Sequence, residues 1–392
     1  MKKHRARHLR VPLVCVGICA GTALCALSPS ASQAQSSPAA AAESTKLYGV
    51  SAASTTDAWA VGFRQDAPGG STLALTRHWD GSKWRVVRSE HPGEDSFLWG
   101  TVDIGAGDAW AVGESLGGAT MLPLAEHWDG TSWTAVSVTG TGLGRLNAVD
   151  GRDSDDVWLV GEGVTGSRAI PRAFIAHWDG SRIHGVKPAR LTQGKYGALT
   201  SVALIAGDDV WAVGEHGRAG QTNRPLIEHW DGTAWTSVPS DARGGSTANL
   251  AGVDGTSSSD SWAVGWHVAR GTQTIAAFAE HWDGRSWTMS DIPAPGYASS
   301  LTGVSAISAD DVWAVGSWAR SKQPQRTLPL IEHWDGSSWS IVDAPAGDGH
   351  QSISIRAVSF DQPADGFAVG ETDRSMGARQ YTIQWDGHSW SR

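Results

Sequence analysis

Cysteine is confined to the first 25 residues of the 392-residue chain, at Cys15, Cys19 and Cys25. The rest of the chain therefore offers no disulfide, no thiolate metal ligand and no thiol nucleophile. Phenylalanine and tyrosine are also scarce, with 6 and 4 copies, whereas tryptophan occurs 22 times. No segment repeats apolar residues at helical spacing for long enough to compete with a β-structure.

The N-terminus has the pattern of a secretory signal peptide. Five lysine and arginine residues lie within residues 2–10, residues 11–27 are uncharged and mostly apolar, and a small-residue run ends at Ala34. A basic region, an apolar region and a small-residue cleavage site in this order predict a leader over residues 1–34 that is cleaved near Ala34. We therefore expect a secreted, extracellular protein. An uncleaved membrane anchor is the alternative, although the apolar run is short for a span.

Cleavage would leave 26 basic residues against 40 acidic ones, a net charge of −14. Such a charge opposes binding to nucleic acid or to an anionic membrane. We expect no nucleic-acid partner and no membrane insertion after cleavage. Residues 35–46 are rich in serine and alanine and are interpreted as a linker.

Residues 47–392 consist of seven copies of one unit of about 50 residues. Each copy contains a segment such as Asp311-Val312-Trp313-Ala314-Val315-Gly316. A second motif follows, of the form His333-Trp334-Asp335-Gly336, and a further tryptophan comes three residues later in most copies. The predicted units span approximately residues 47–97, 98–145, 146–198, 199–249, 250–300, 301–353 and 354–392.

Each unit is predicted to form four short antiparallel strands. In the sixth unit these are Leu301–Val304, Asp311–Gly316, Leu328–Trp334 and Trp339–Val342, with a tight Asp-Gly turn before the last. Four strands at this period predict an all-β fold, a seven-bladed β-propeller with four antiparallel strands per blade. A linear β-solenoid is the structural alternative. We expect residues near 43–50 to help close the ring, because the last strand of the seventh unit is short.

Residues repeated in every unit are interpreted as scaffold, including 19 of the 22 tryptophans. In the second strand the tryptophan and valine share one face, and the alanine and glycine share the other. We expect the small face to accept a large side chain from the next blade. The repeated histidines are not interpreted as metal ligands, and the repeated aspartates are interpreted as turn caps. The scaffold tryptophans and aspartates are Trp59, Trp110, Trp158, Trp211, Trp262, Trp313, Trp79, Trp128, Trp178, Trp230, Trp282, Trp334, Trp385, Asp80, Asp129, Asp179, Asp231, Asp283, Asp335 and Asp386.

The paired motifs resemble the tryptophan-rich propeller repeats of secreted bacterial proteins, a group of Asp-box or kelch-like character that is mostly uncharacterised. The resemblance covers essentially all of residues 47–392 and implies the propeller fold and secretion, but no particular chemistry. The Asp-Gly hairpin is similar to the Asp box of sialidase-type propellers, except that Asp335 and Gly336 are adjacent here instead of separated by one residue. The Trp-Asp pair is similar to that of WD40 repeats, without their upstream Gly-His.

A binding site is expected where the units differ from one another, at the channel rim. The three tryptophans outside the repeat, Trp99, Trp266 and Trp318, all fall at such positions. Exposed aromatic rings beside polar groups suit stacking on the apolar face of a sugar. Side chains alternate between the two faces of a strand, and Trp266 and Trp318 lie one position apart in equivalent strands. They are therefore expected on opposite faces and need not both contact one ligand. The other candidate ligand-binding residues are Tyr48, His216, His267, Glu215, Arg356 and Glu371.

Glutamates at four units, Glu114, Glu162, Glu215 and Glu371, would form a partial acidic ring. A pair of carboxylates suits glycoside hydrolysis, and carboxylate oxygens suit calcium. Solvated loop entrances explain the same residues, so no catalytic residue is assigned. No cofactor is expected, with calcium as the one metal that these oxygens would suit.

Three functions remain open. The favoured one is a secreted, non-enzymatic, lectin-like propeller that binds a cell-surface or polysaccharide glycan at the channel rim. The alternative is a protein-interaction or targeting subunit of a secreted assembly, such as a toxin complex. The second alternative is a glycoside hydrolase or lyase acting on polysaccharide. Propellers support all three, so the fold alone does not decide.

Overall fold

A computed structural model of the chain describes residues 44–392, except for short segments within this range. The excepted residues are 68, 91–94, 106, 119, 140–142, 166–169, 191–195, 219–221, 243–246, 269–270, 272–273, 323–325, 346, 348–350 and 375–376. The predicted signal peptide and most of the predicted linker lie outside the described residues. No helix among the described residues is long and apolar enough to cross a membrane.

The described residues form 28 β-strands. Blades 1 to 4 comprise β1 Ser44–Ser54, β2 Asp57–Gln65, β3 Thr72–Trp79, β4 Trp84–Val87, β5 Asp95–Gly105, β6 Asp108–Gly117, β7 Thr120–Trp128, β8 Trp133–Ala135, β9 Leu143–Asp153, β10 Asp156–Thr165, β11 Ile170–Trp178, β12 Ile183–Val186, β13 Tyr196–Ala206, β14 Asp209–Gly217, β15 Arg224–Trp230 and β16 Trp235–Ser237. Blades 5 to 7 comprise β17 Ala248–Ser257, β18 Asp260–Val268, β19 Ile275–Trp282, β20 Trp287–Ser290, β21 Ala298–Ser308, β22 Asp311–Ala319, β23 Thr327–Trp334, β24 Trp339–Ile341, β25 Ser352–Gln362, β26 Asp365–Arg374, β27 Gly377–Trp385 and β28 Trp390–Ser391.

The strands build seven separate four-stranded sheets, each antiparallel and each in chain order. The all-β, seven-bladed propeller predicted from the repeat is confirmed. The first strand of each sheet lines the central channel and the fourth lies at the periphery. Ring closure occurs without strand exchange, because blade 7 contains only β25–β28. Strand β1 packs against blade 7 instead.

The Asp-Gly hairpin between the third and fourth strands is a capped turn, as the sequence predicts. In blade 1 the Asp80 Oδ1 atom accepts hydrogen bonds from the backbone N–H groups of Ser82 and Lys83, both at 3.0 Å. Gly81 follows with φ = +83°, a conformation that favours glycine. At the corresponding Asp335, the hydrogen bond from the Ser337 hydroxyl and the backbone hydrogen bonds of the turn lower the pKa to about 2. The repeated aspartates are therefore occupied by the turn.

The repeated histidine ties the third strand to the second strand of its own blade. His281 Nε2 lies 2.7 Å from Asp260 Oδ1, and the same pairing occurs in six blades at 2.6–2.9 Å. In blade 7 a glutamine replaces the histidine, and Gln384 Nε2 donates to Asp365 Oδ1 at 2.9 Å. Each histidine ring also packs on the second-strand tryptophan of its blade. The described residues contain no group of three or more histidine, cysteine or acidic side chains that could hold a metal ion.

The second-strand tryptophan fills the seam between its blade and the next. Trp59 of blade 1 is 1% exposed, and its ring lies 4.9 Å from those of Trp128 and Trp133 in blade 2. At the closing seam Phe367 takes this role and contacts Trp79 and Trp84 of blade 1, each at 5.4 Å. The small face of each blade thus receives the large side chain of the preceding blade. The expectation that this large side chain comes from the next blade is wrong, because it comes from the preceding blade.

Each first strand contains a β-bulge, and the repeated glycine makes this bulge possible. In blade 6 the register of β21 against β22 shifts between Leu301 and Gly303, so Thr302 has no cross-strand partner. A Cβ atom on Gly316 would lie only 2.0 Å from the Ser300 carbonyl oxygen. The equivalent glycine of every blade has the same conflict, at 1.8–2.1 Å. The glycine therefore serves the bulge rather than the packing of a neighbouring side chain.

Inner strands of neighbouring blades are joined by a second repeated contact. The Leu204 N–H donates to Asp150 Oδ2 at 2.7 Å, and the Ala306 N–H donates to Asp254 Oδ2 at 2.8 Å. Serine takes the same position elsewhere, and at the closing seam the Ala52 N–H donates to Ser359 Oγ at 3.1 Å. At the inner strands, the closing seam is therefore built like the others.

The outer parts of the seams contain buried glutamates, each 0% exposed, directly before the repeated histidine. The segment that follows the fourth strand of the preceding blade, here called the covering segment, donates hydrogen bonds to three of them. Ser89 Oγ contacts both oxygens of Glu126. The corresponding contacts in blades 4 and 5 are the Ala189 N–H to Glu228 and Ser240 Oγ to Glu280. Burial raises the pKa of these carboxyls, to about 8 for Glu126 and about 7 for the other two.

Candidate functional site

The seven bulge residues form one ring around the central channel. They are Tyr48, Trp99, Asn147, Thr200, Ala251, Thr302 and Arg356. All seven line a single cavity of about 220 Å³ that is open to solvent. The ring combines one variable side chain from every blade at one level of the channel. Three of these residues, Tyr48, Trp99 and Arg356, are among the candidates predicted from the sequence.

Polar residues in blades 3, 4 and 6 of the ring are held by the scaffold. The amide of Asn147 donates to the Leu199 carbonyl oxygen at 2.7 Å. Thr200 and Thr302 donate their hydroxyls to backbone carbonyl oxygens of the next blade at 2.7 and 2.8 Å. These short side chains fold back against the wall of the channel. Together with Ala251 they leave this side of the channel open.

The opposite wall is large and aromatic. Tyr48 and Trp99 come from adjacent blades and meet edge to face, with ring centroids 4.7 Å apart. Phe63 lies 5.7 Å from Tyr48, and Phe97 stacks on Trp99 at 5.8 Å with the ring planes nearly parallel. All four rings are half-buried, so each keeps some accessible surface. We call this set of four residues the aromatic wall.

Arg356 extends the aromatic wall on the side of blade 7. Its guanidinium carbon lies 5.4 Å from the Tyr48 ring centroid, within cation–π range. The Nε atom contacts both oxygens of Glu371 at 3.1 Å, and Nη2 contacts Oε1 at 2.5 Å. Glu371 is 5% exposed, so the ion pair is fixed from the protein side. The pair compensates the charge of Arg356 and still presents N–H donors beside the aromatic surface.

Glu114 and Glu162 share one arginine next to the aromatic wall. Arg145 Nε lies 3.0 Å from Glu162 Oε1. Glu114 is 6% exposed, and burial raises its pKa, with Arg145 opposing this shift and Glu162 adding to it. The indole of Trp99 is close enough to lower the Glu114 pKa slightly, yet no hydrogen bond of normal geometry joins them. Burial therefore favours the protonated form of the Glu114 carboxyl.

The remaining predicted glutamate belongs to a local polar group in blade 4. Asn223 Nδ2 donates to Glu215 Oε2 at 2.6 Å, and the hydroxyl of Tyr196 donates to Asn223 Oδ1. Burial lowers the pKa of the adjacent His216, with nearby Arg224 adding to the effect. None of these five residues lines the channel cavity.

Two of the three predicted tryptophans lie away from the channel cavity. Trp266 and Trp318 fall on opposite faces of their blades, as their parity indicates, and neither lines the cavity of the bulge ring. Trp318 lines a separate groove of about 520 Å³ and lies 5.9 Å from the guanidinium of Arg320. His267 packs on Phe278 at 5.5 Å, and burial lowers its pKa. The structure therefore brings together Tyr48, Trp99, Arg356 and Glu371, but not the other candidates.

Sequence reasoning missed two members of the aromatic wall as site residues. Phe63 takes the place of the glutamate in blade 1, and Phe97 lies two residues before Trp99 in β5 and stacks on its ring. Among seven units, phenylalanine at these positions in two adjacent units was the available signal. The deeper channel residues Asp150 and Asp254 were also missed, and burial raises their pKa values to about 7 and about 6.

Comparisons with known proteins identify the fold but no family. No protein-family model matches the chain. No curated protein matches it. The resemblance to secreted Asp-box or kelch-like repeats therefore remains a prediction.

Solved propellers do match the structure. An ulvan lyase of polysaccharide lyase family PL25, bound to -[GlcA(1-4)Rha3S]-, gives a TM-score of 0.58 at 10% identity, over 86% of this chain and 91% of that one. YCF48 from Cyanidioschyzon merolae gives 0.52 at 14% identity, over 89% and 97%. YCF48 bound to a D1 peptide gives 0.50 at 14% identity, over 85% and 91%. At these identities the similarity shows the fold alone.

Proposed function

We propose that this chain is a secreted, non-enzymatic propeller that binds a glycan at the mouth of its central channel. The observation that carries the proposal is the asymmetry of the bulge ring. Aromatic and guanidinium groups of blades 7, 1 and 2 form one wall, and small, hydrogen-bonded side chains of blades 3 to 6 leave the facing side open. A concave site with aromatic faces and a few fixed polar groups is the usual form of a small-ligand site.

A sugar ring fits the chemistry of this wall. Its apolar face would stack on Trp99 and Tyr48, and its hydroxyls would meet the Arg356–Glu371 pair, which supplies both donors and acceptors. The cavity of about 220 Å³ is smaller than the roughly 300–1,000 Å³ of drug-sized sites. One terminal sugar would therefore enter, while the rest of the glycan stays at the rim.

The charges around the channel favour a neutral sugar. Glu371 compensates Arg356, and the carboxyl groups of Asp150 and Asp254 line the channel below. A polyanionic ligand would meet no uncompensated positive charge among the residues that line this cavity. We therefore expect neutral glycans to bind more tightly than uronate-containing or sulfated ones.

A glycan array followed by calorimetric titration of the best ligand tests the proposal. Trp99→Ala removes the stacking surface and should weaken binding about tenfold or more, equivalent to ~1.4 kcal/mol. Trp266→Ala is the matched control, because it removes a half-buried tryptophan outside the cavity. Equal affinities of both variants, or no glycan binding by the wild type, would contradict the proposal.

A polysaccharide lyase is the second candidate. The ulvan lyase is a structural match, and Arg356 beside Tyr48 is a cation next to a phenol, groups that could neutralise a uronate carboxylate and remove a proton. The bidentate Glu371 contact opposes this role, because it already neutralises the arginine. Incubation with uronate-containing polysaccharides and detection of unsaturated products would establish lyase activity if Tyr48→Phe abolishes it.

A further inference from the structure

The closing seam between blades 7 and 1 differs from the other six seams at its outer part. In those six, the covering segment of the preceding blade lies on the next blade, by the hydrogen bonds described above or by apolar packing. The apolar cluster of the closing seam consists of residues from β1, β2, β3, β4, β25 and β26. No described residue covers this face of β3 in the same way.

The residue before the repeated histidine also has the opposite charge in blade 1. Where blades 2, 4, 5 and 6 have a buried glutamate before the repeated histidine, blade 1 has Arg77. Three of these glutamates, in blades 2, 4 and 5, accept hydrogen bonds from their covering segments, whereas an arginine can only donate. The Arg77 Nε atom is buried and has no hydrogen-bond partner among the described residues. Burial also lowers the pKa of Arg77.

A cavity of about 390 Å³ lies at this position, which we call the closing-seam pocket. Three arginines line it, Arg64 and Arg77 from blade 1 and Arg379 from blade 7, together with Thr45 and Gln380. None of its described lining residues is acidic. Asp66 pairs with Arg64 at 3.1 Å, but both side chains are substantially exposed, and Asp66 is outside the lining.

The pocket is reachable from the edge of blade 1. Val86 lines it from the outermost strand, β4, and is 64% exposed. An outer strand presents unpaired backbone groups, to which an extended chain can add. The position thus combines three guanidinium groups with a strand edge, and it lies where the other seams seat an extended segment.

We propose that the closing-seam pocket binds an extended acidic peptide segment of a partner protein, with a glutamate or aspartate carboxylate seated between Arg77 and Arg379. The segment takes the place that the covering segment has at the other seams. The carboxylate supplies the acceptor that Arg77 lacks, in the bidentate geometry that guanidinium groups favour. The site is separate from the channel, so its occupation is independent of the glycan site.

Fluorescence anisotropy with a labelled peptide tests the proposal. The probe is Ser-Val-Pro-Glu-Asp-Ala, which copies the covering segment of residues 237–242 with glutamate in place of its serine at position 240. The control peptide has glutamine and asparagine in place of the two acids. The acidic peptide should bind at least about tenfold more tightly than the control, and its affinity should fall with added salt.

Variants identify the site. Arg77→Met and Arg379→Gln should each weaken binding of the acidic peptide about tenfold or more, since each removes a charged donor. Arg379 is exposed, so its variant stays informative if Arg77→Met is unstable in thermal unfolding. Arg285→Gln, an exposed arginine of blade 5, is the matched control, and Trp99→Ala should also bind normally.

Three outcomes would overturn the proposal. One is equal binding of the acidic and control peptides. Another is unchanged binding by both pocket variants. The third is binding of trigalacturonate at Arg77 without binding of the peptide, which would make the pocket a site for acidic sugars.

Discussion

Glu332 should make the protein less stable as the pH rises. Its side chain is 0% exposed, and neither carboxyl oxygen has a hydrogen-bond partner among the described residues. Burial alone raises its pKa from 4.5 to about 8. The native state therefore holds a proton that the unfolded state releases between about pH 4.5 and pH 8.

The sign and size of the effect follow from this difference. Because the native pKa is raised, the stabilising contribution is complete below pH 4.5 and is lost as the pH rises through about 8. At ~1.36 kcal/mol per pKa unit, the loss amounts to at most roughly 5 kcal/mol. Glu332→Gln keeps the shape of the protonated group and cannot ionise. Its free energy of unfolding should match the wild type near pH 5 and exceed it by roughly 2–5 kcal/mol near pH 8.5.

Urea unfolding followed by tryptophan fluorescence, repeated from pH 5 to about pH 9, measures these free energies. Asp291→Asn is the control, because it makes the same exchange of a carboxyl for an amide at an exposed side chain. The reasoning would be refuted if Glu332→Gln changed stability by the same amount at every pH. It would also be refuted if the wild type gained stability between pH 5 and pH 8.

Five further substitutions, at four positions, test the scaffold. Gly316→Ala should destabilise by several kcal/mol in urea unfolding, since its Cβ would lie 2.0 Å from a carbonyl oxygen. Gly117→Ala should be nearly neutral, as nothing lies within 4 Å of the added atom. His281→Gln should retain the bond to Asp260 and cost less than His281→Leu, which should lose ~1–2 kcal/mol, measured in the same assay. Thr302→Val should reduce the thermal midpoint, equivalent to ~1 kcal/mol, because it removes the hydrogen bond from the Thr302 hydroxyl to the Ile355 carbonyl oxygen.

The blade architecture was predictable because its signals are local and repeated seven times. The Asp-Gly turn requires a capping carboxylate and a glycine at positive φ, and both are visible in every unit. The repeated histidines, interpreted from the sequence as part of the scaffold, pair with the second-strand aspartates. Repetition also separated scaffold from variable positions correctly, since all seven variable first-strand residues meet at the channel.

The set of residues that form the site was less predictable, because it depends on the direction in which each side chain points. A bulge reverses the alternation of a strand at one residue, and the sequence shows the glycine that allows the bulge without showing where its partner residue points. Trp99 occupies the bulge of β5 and reaches the channel, whereas Trp266 and Trp318 lie on second strands and do not line the cavity. The Arg356–Glu371 pair was named as two separate candidates, because two residues fifteen positions apart reveal no contact in a single sequence.

The seven bulges separate recognition from folding. A bulge residue has no cross-strand partner, so exchanging its side chain changes no register and no ladder hydrogen bond. The repeated glycine opposite remains the only local requirement. Each blade thus has one position whose side chain can be substituted independently, and the seven side chains at these positions line the channel together. A chain with the same scaffold could acquire a new ligand by changing a few residues of that ring.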